Sequence, residues 1–502
     1  MNNYTPNLRL PLRVGDTTLA KQSLAAAIEI LEGVTGLDLP EARGGNFQVR
    51  TTFAKVVTAL EAYLGIEIPF LARDFRSFRQ TYPNAMVAID AALSAGGGVQ
   101  PLQIVAMGGS VGQNRRVKSS ANQLCLTTDV RRKLGRVSAL ELRPAYSNWA
   151  RVSGVETAMG NTATVEASVR YAGQQHRVTF GGQTSVVIAD GESLLIADAI
   201  PASAFGLDEF PAGAELIFRT RWLLAATGHA VPGQWRSNLV TTDKVIQDDG
   251  SNNQVMTNAD LAGTDIGDFG PAPVAILGVL TGPLKAVVIV GDSIHRFDGG
   301  GAALPTEWGD GEKGGGYMAR ALYAAGIPHA NIAQGSTRAA QLATSCAKVK
   351  AIYAYADRGV SNYGTNDISA ATAGQTYQQQ ADAISPNILQ VHADLKGVLS
   401  PRGVPLATTQ IRVFARTTGD FSTESGQTIV DRYADNQTRG LLNAALVAGG
   451  NLDQVVTLGV IFSADGQKYA AGRTSDGIHP SAVAAATLAA SSDVQALVAG
   501  WN

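Results

Sequence analysis

Three short segments carry the residue types from which acyl transfer can be built. Ser293 stands in Val290-Gly291-Asp292-Ser293-Ile294, directly after the apolar run Lys285–Val290. That position puts a hydroxyl at the carboxyl edge of a strand and near a helix start. A lone Gly-Asp-Ser also makes an ordinary turn or helix cap, so the tripeptide alone decides little. Asn366, in Tyr363-Gly364-Thr365-Asn366-Asp367, offers a side-chain amide to a developing oxyanion. Standing alone it reads as a turn asparagine. Near the end comes Ser475-Asp476-Gly477-Ile478-His479-Pro480. A histidine three residues after an aspartate, with a glycine between, lets a compact loop bring both side chains to one place. Asp476 can then accept from one imidazole nitrogen of His479, leaving the other to deprotonate a serine.

The elements that would position these residues follow from periodicity. Lys285–Val290 is a continuous apolar run, as in a strand covered on both faces. Helical patterns recur at 315–326, 337–356, 373–398, 431–448 and 481–499, with strand-like runs at 410–415 and 454–462 between them. This alternation predicts an α/β domain over 271–502, a parallel sheet between helices, whose sites gather at the carboxyl ends of the strands. From Val99 to about Asp268 the period is two: Ser138–Arg143, Ala163–Arg170, His176–Phe180, Ser185–Ile188 and Glu215–Trp222 alternate like half-buried strands. An antiparallel β-sandwich over 99–270 is expected, with 245–270 as a polar surface connection. Residues 1–98 form an extended arm and then helical stretches at 18–32, 47–64 and about 75–93, fitting either a small head or a homo-oligomerisation element.

In order and approximate spacing, Gly-Asp-Ser-Ile, Gly-Thr-Asn-Asp and Asp-Gly-Ile-His-Pro resemble the SGNH (GDSL-type) hydrolase superfamily over about 200 residues. The resemblance implies a flavodoxin-like three-layer fold and a serine esterase that needs no cofactor and no metal. It implies Ser293 as nucleophile, His479 as base and Asp476 as the residue orienting the imidazole. The oxyanion hole would comprise the Ser293 N–H, the Asn366 amide and a backbone N–H from a glycine segment, best matched by Gly335 in Asn331–Thr337. That segment departs from the commoner Gly-rich version. The strand before Asn366 carries polar Ser361 and Asn362 where apolar residues are typical, which bears on local packing. Arg177–Ile188 followed by Asp190-Gly-Glu is similar to a β-domain preceding the catalytic domain in some SGNH esterases. The opening Tyr4–Pro11 resembles leaders of phage tail proteins.

An acetylated carbohydrate is the substrate class expected from that analogy, which would make the chain a carbohydrate deacetylase, including the case of a tail spike. The alternatives are a lipase or thioesterase acting on longer acyl chains, and a glycan-binding virion component. Asp292 reads as a local hydrogen-bonding brace, His295 as a rim or exposed residue. Asp310 and Glu312, in the Gly-rich stretch 299–316, read as a loop shaping the entrance; Lys313-Gly lacks the order of a phosphate loop.

Composition narrows the partners. The 502 residues are 45% hydrophobic and 16% charged, with a net charge of −2 and no long basic run, so neither nucleic acid nor an anionic membrane is expected. Two cysteines, Cys125 and Cys346, exclude a disulfide framework and read as buried thiols. Met1–Pro6 lacks the pattern of a secretion signal, and no segment reaches the roughly 18 apolar residues of a membrane span. The chain is expected to be cytosolic, released by another route such as cell lysis, or already processed.

Overall fold

The structure, a computed structural model, describes residues 101–112, 114–118, 120–235, 243–266, 269–296, 316–449 and 452–501. The helical stretches and leader expected within 1–98, and Asp310 and Glu312, lie outside these residues. The described residues fall into two compact units. The larger comprises Gln103–Gly278, Leu284–Val398 and Leu406–Asn502. The smaller holds Val279–Pro283 and Leu399–Pro405, the latter closed by the Ser400 N–H on Val404 O at 2.7 Å.

One long sheet organises the larger unit. Its first strands are β1 (Ala106–Gly109), β2 (Cys125–Leu134), β3 (Ala163–Tyr171) and β4 (Glu215–Leu223). Then come β5 (Val287–Val290), β6 (His329–Asn331), β7 (Arg358–Ser361), β8 (Ala407–Ile411) and β9 (Gln454–Val456). The strands β3, β4, β2 and β1 lie side by side and antiparallel. From β1 onward the order is β1-β6-β5-β7-β8-β9, and every pair is parallel. The sheet is therefore continuous across the boundary expected near 270. All four residues of β5 are fully buried valine or isoleucine, whose branched side chains pack on both faces of a central strand. Counting from β5, the last five strands run 2-1-3-4-5. The order reverses beside β5, where the chain leaves first for β6 and then for β7, and a crevice opens at such a reversal.

The helices form two packing groups. Those described are α1 (Ser293–Arg296), α2 (Tyr317–Ala324), α3 (Ala339–Thr344), α4 (Lys350–Tyr353), α5 (Thr365–Ser369) and α6 (Tyr377–Lys396). They are followed by α7 (Thr438–Ala448), α8 (Ala482–Ala489) and α9 (Ser492–Ala499). α2 packs with α8 and α9, whereas α6 gathers α3, α4, α5 and α7.

Several expected elements are reshaped by tertiary contacts. The stretch 337–356 is two short helices, because the Lys348 and Val349 N–H groups donate to the Glu156 carboxylate at 2.8 and 2.7 Å. The stretch 481–499 restarts at Ser491, whose hydroxyl caps the Val494 N–H at 3.4 Å. Residues 245–270 are not only a surface connection: Lys244–Asp248 is a strand antiparallel to β2, with Val245 and Ile246 buried. The run 410–415 is replaced by β8, which starts three residues earlier and stops at Ile411, and only the first three residues of 454–462 are strand. Both cysteines are buried free thiols.

Candidate active site

Ser293 leaves the sheet at the strand-order reversal. Gly291 makes the exit turn with φ +145°, and a Cβ there would lie 1.8 Å from Asn362 Oδ1, so only glycine fits. Asp292 then caps α1: its Oδ1 accepts from the Ile294 N–H at 2.9 Å. The same oxygen accepts from Asn362 Nδ2 at 2.7 Å, while Asn362 Oδ1 accepts from the Asp292 N–H at 3.1 Å. The carboxyl ends of β5 and β7 are thus tied by a reciprocal pair, with Ser293 one residue further on and 7% exposed. Ser361 and Asn362 are not packing defects. They are buried, and Asn362 meets the polar needs of the Asp292 turn.

His479 arrives on a loop whose shape is set by its own residues. Asp476 Oδ1 accepts the Ile478 and His479 N–H groups, each at 2.8 Å, which curls the loop as an Asx turn. Gly477 has φ +73°, and a Cβ there would sit 1.8 Å from Thr417 O. Thr474 Oγ1 donates to His479 O at 2.8 Å, and the Tyr469 hydroxyl donates to Ile478 O at 2.6 Å. Within this frame His479 Nδ1 lies 2.6 Å from Asp476 Oδ2, and His479 Nε2 lies 2.7 Å from Ser293 Oγ. A carboxylate can only accept, so the ring proton sits on Nδ1 and Nε2 is left to accept from the serine hydroxyl. Partial burial alone would raise the Asp476 carboxyl. The bonds from the His479 ring and from the His479 and Ile478 N–H groups outweigh it and hold the carboxyl well below the usual carboxylate range.

The Gly335 turn and Asn366 join the same network from the other side. The Gln334 N–H donates to Gly291 O at 3.0 Å. Thr337 Oγ1 donates to Gln334 O at 2.7 Å, and Asn366 Nδ2 donates to Thr337 O at 3.0 Å. Ser336, next to Gly335, holds φ 60°, a left-handed value that a non-glycine residue adopts only where the surroundings fix it. Among the described residues, neither the Ser293 nor the Gly335 backbone N–H has an acceptor. Gln334 and Asn362 carry no spacing signal in the sequence, because their side-chain partners lie 70 to 183 residues away along the chain.

Two neighbours of the serine titrate unusually. Burial lifts the Asp292 carboxyl from 3.8 to about 6, against the bonds from Ile294 and Asn362 that lower it. The expectation that His295 is a rim or exposed residue is corrected. It is fully buried, its Nδ1–H donates to Val290 O at 2.8 Å, and its Nε2 accepts from the Tyr317 hydroxyl at 3.2 Å. Burial pushes it down to about 4, so it stays neutral. Its position, two residues after Ser293, turns it under the strand rather than out to solvent. Among the described residues no group of three or more His, Cys, Asp or Glu is placed to hold a metal ion.

No protein-family description matches the chain, and no curated protein matches it either. Among solved structures it is similar to a GDSL-like lipase from Bacteroides thetaiotaomicron, at 13% identity over 43% of this chain and 88% of that one, with a TM-score of 0.28. A carbohydrate esterase family 2 enzyme with its carbohydrate-binding domain, from Corynascus thermopiles, matches at 14% identity over 77% of this chain and 98% of that one, with a TM-score of 0.30. An acetylxylan esterase from Geobacillus stearothermophilus matches at 16% identity over 41% and 90%, with a TM-score of 0.29.

Proposed function

We propose that this chain is a serine esterase of the SGNH type that removes acetyl groups from a carbohydrate. The observation that carries the reading is the continuous chain from Ser293 Oγ through the His479 ring to Asp476, at 2.7 and 2.6 Å. Ser293 Oγ attacks the acyl carbonyl carbon as His479 Nε2 takes its proton, giving a tetrahedral oxyanion and an imidazolium paired with Asp476. The N–H groups of Ser293 and Gly335 and the amide of Asn366 take the oxyanion charge; one such donor is typically worth about 3–4 kcal/mol. Collapse expels the sugar hydroxyl, which receives the proton from His479. Water then adds to the acyl-serine with His479 again as base, releasing acetate and restoring Ser293.

The substrate class rests on the polar segments that flank the base. The Thr417 N–H donates to Gly477 O, and Arg416 beside it donates to Ser369 Oγ and lies 5.7 Å over the Tyr433 ring, so the chain around the base is polar rather than an apolar acyl groove. The three-layer flavodoxin-like reading of 271–502 rests on the 2-1-3-4-5 order and the two helix groups. The likeness of Tyr4–Pro11 to tail-protein leaders extends the proposal to a tail-spike deacetylase acting on a surface polysaccharide. The test is acetate release from a panel of acetylated polysaccharides, with Ser293→Ala alongside. The wild-type chain is expected to release acetate and the folded variant none. Hydrolysis retained by a clean Ser293→Ala preparation refutes the nucleophile, and preference for long-chain over short-chain aryl esters refutes the carbohydrate reading.

A further inference from the structure

We infer that the β-hairpin Trp149–Ala158, in the region expected to be an accessory sandwich, is a working part of the oxyanion side, with Gln334 and Arg151 as positioning residues. This rests on the reading of Ser293 and Gly335 above. The hairpin pairs Trp149–Val152 with Val155–Ala158 through a two-residue turn, Ser153-Gly154, with φ 49° and 82°. Two successive positive φ values are the mark of a type I′ turn, which matches the twist of its strands and makes the tip stiff.

Both ends of the Gln334 side-chain amide are consumed by this hairpin. Its Oε1 accepts from the Gly154 N–H at 3.1 Å, and its Nε2 donates to Arg151 O. The Gln334 main chain is held as well, by its N–H on Gly291 O at 3.0 Å and by Thr337 Oγ1 on its carbonyl at 2.7 Å. The N–H of Gly335 belongs to the same planar peptide as that carbonyl. Fixing the oxygen therefore fixes the direction of the Gly335 N–H, which has no acceptor among the described residues.

Arg151 supports the same place from beneath. It is fully buried, and its guanidinium donates to Ile332 O at 3.2 Å and to the Tyr363 hydroxyl at 3.4 Å. No carboxylate bonds it among the described residues, and its Nε has no partner. It also donates to Gly154 O at 3.5 Å, at the tip of the hairpin, and a buried cation held by two carbonyls and a hydroxyl without a bonded carboxylate is costly to bury. Here it ties the segment entering the Gly335 turn to the segment entering Asn366, and adds positive potential under the position the oxyanion would take. The hairpin cannot swing away. The Glu156 carboxylate accepts from the Lys348 and Val349 N–H groups, and the Glu156 N–H donates to Ser345 Oγ at 2.9 Å.

The test uses the full chain, hydrolysis of a short aryl acetate, and inhibition by a boronic acid that mimics the tetrahedral state. Gln334→Ala and Arg151→Met are expected to lower kcat about 10- to 100-fold with KM within about twofold, and to weaken boronate binding by the same factor. Arg151→Lys should recover part of the loss. Val187→Ala, exposed on a strand outside this hairpin, should leave kcat unchanged. A folded Gln334→Ala variant with wild-type kcat and boronate affinity overturns the inference. If Gln334→Ala does not fold, folded Arg151→Met decides by the same criterion. Activity surviving in Ser293→Ala would instead strike the nucleophile assignment, so the two failures are distinguishable.

Discussion

Replacing Asp292 with Asn should reshape the pH dependence of stability. Asp292 is 1% exposed; Oδ1 holds two donors, and Oδ2 is buried without a partner. Burial raises its carboxyl from 3.8 to about 6. An acid raised on folding binds its proton more tightly in the folded chain. Its contribution to stability is therefore fully present below 3.8 and is lost as pH rises through about 6. At 1.36 kcal/mol per pH unit, the difference amounts to about 3 kcal/mol. Asparagine keeps the Oδ1 acceptor for Ile294 and Asn362 and cannot ionise, so it leaves only a constant offset from its unpaired amide. Urea denaturation of both proteins between roughly pH 4 and pH 8 should show the wild type losing about 2–3 kcal/mol relative to the variant as pH rises. Two curves separated by the same amount at every pH would show that Asp292 does not ionise at a cost, and would refute the reasoning.

Other perturbations test the remaining parts. Asp476→Asn removes the acceptor that fixes the Nδ1–H tautomer, and kcat should fall roughly 10⁴-fold with little change in melting temperature; steady-state rates check this, and a loss under tenfold counts against the triad. Asn366→Ala should lower kcat about 10²–10³-fold with KM nearly unchanged, and equal effects on binding and turnover would remove it from the oxyanion hole. Gly291→Ala forces a side chain into a φ of +145° against Asn362 Oδ1. It should destabilise by more than about 1 kcal/mol and abolish turnover, and a wild-type thermal melt would show that the turn adapts.

Much of the candidate site was legible because its logic is local. Asp476 and His479 are three residues apart with glycine between, so one Asx turn both shapes the loop and pairs the side chains. The apolar run ending at Val290 marked the central strand, and Gly291 with Ser293 marked its exit. Expectations failed where a distant partner intervened. Lys244–Asp248 is too short and too mixed to show a period, and becomes a strand only because β2 offers an open edge. His295 looked like a rim residue because two positions after Ser293 says nothing about which way a helical side chain points.

Short-range spacing therefore determined which residues could perform the chemistry, since turns and strand exits are governed by neighbours within a few positions. Only the tertiary structure decided what holds them: Asn362 for Asp292, 70 residues away, and the Trp149–Ala158 hairpin for Gln334, 180 residues away at Gly154. Buried polar groups must find partners wherever the chain brings them, and no local pattern records which partner that will be.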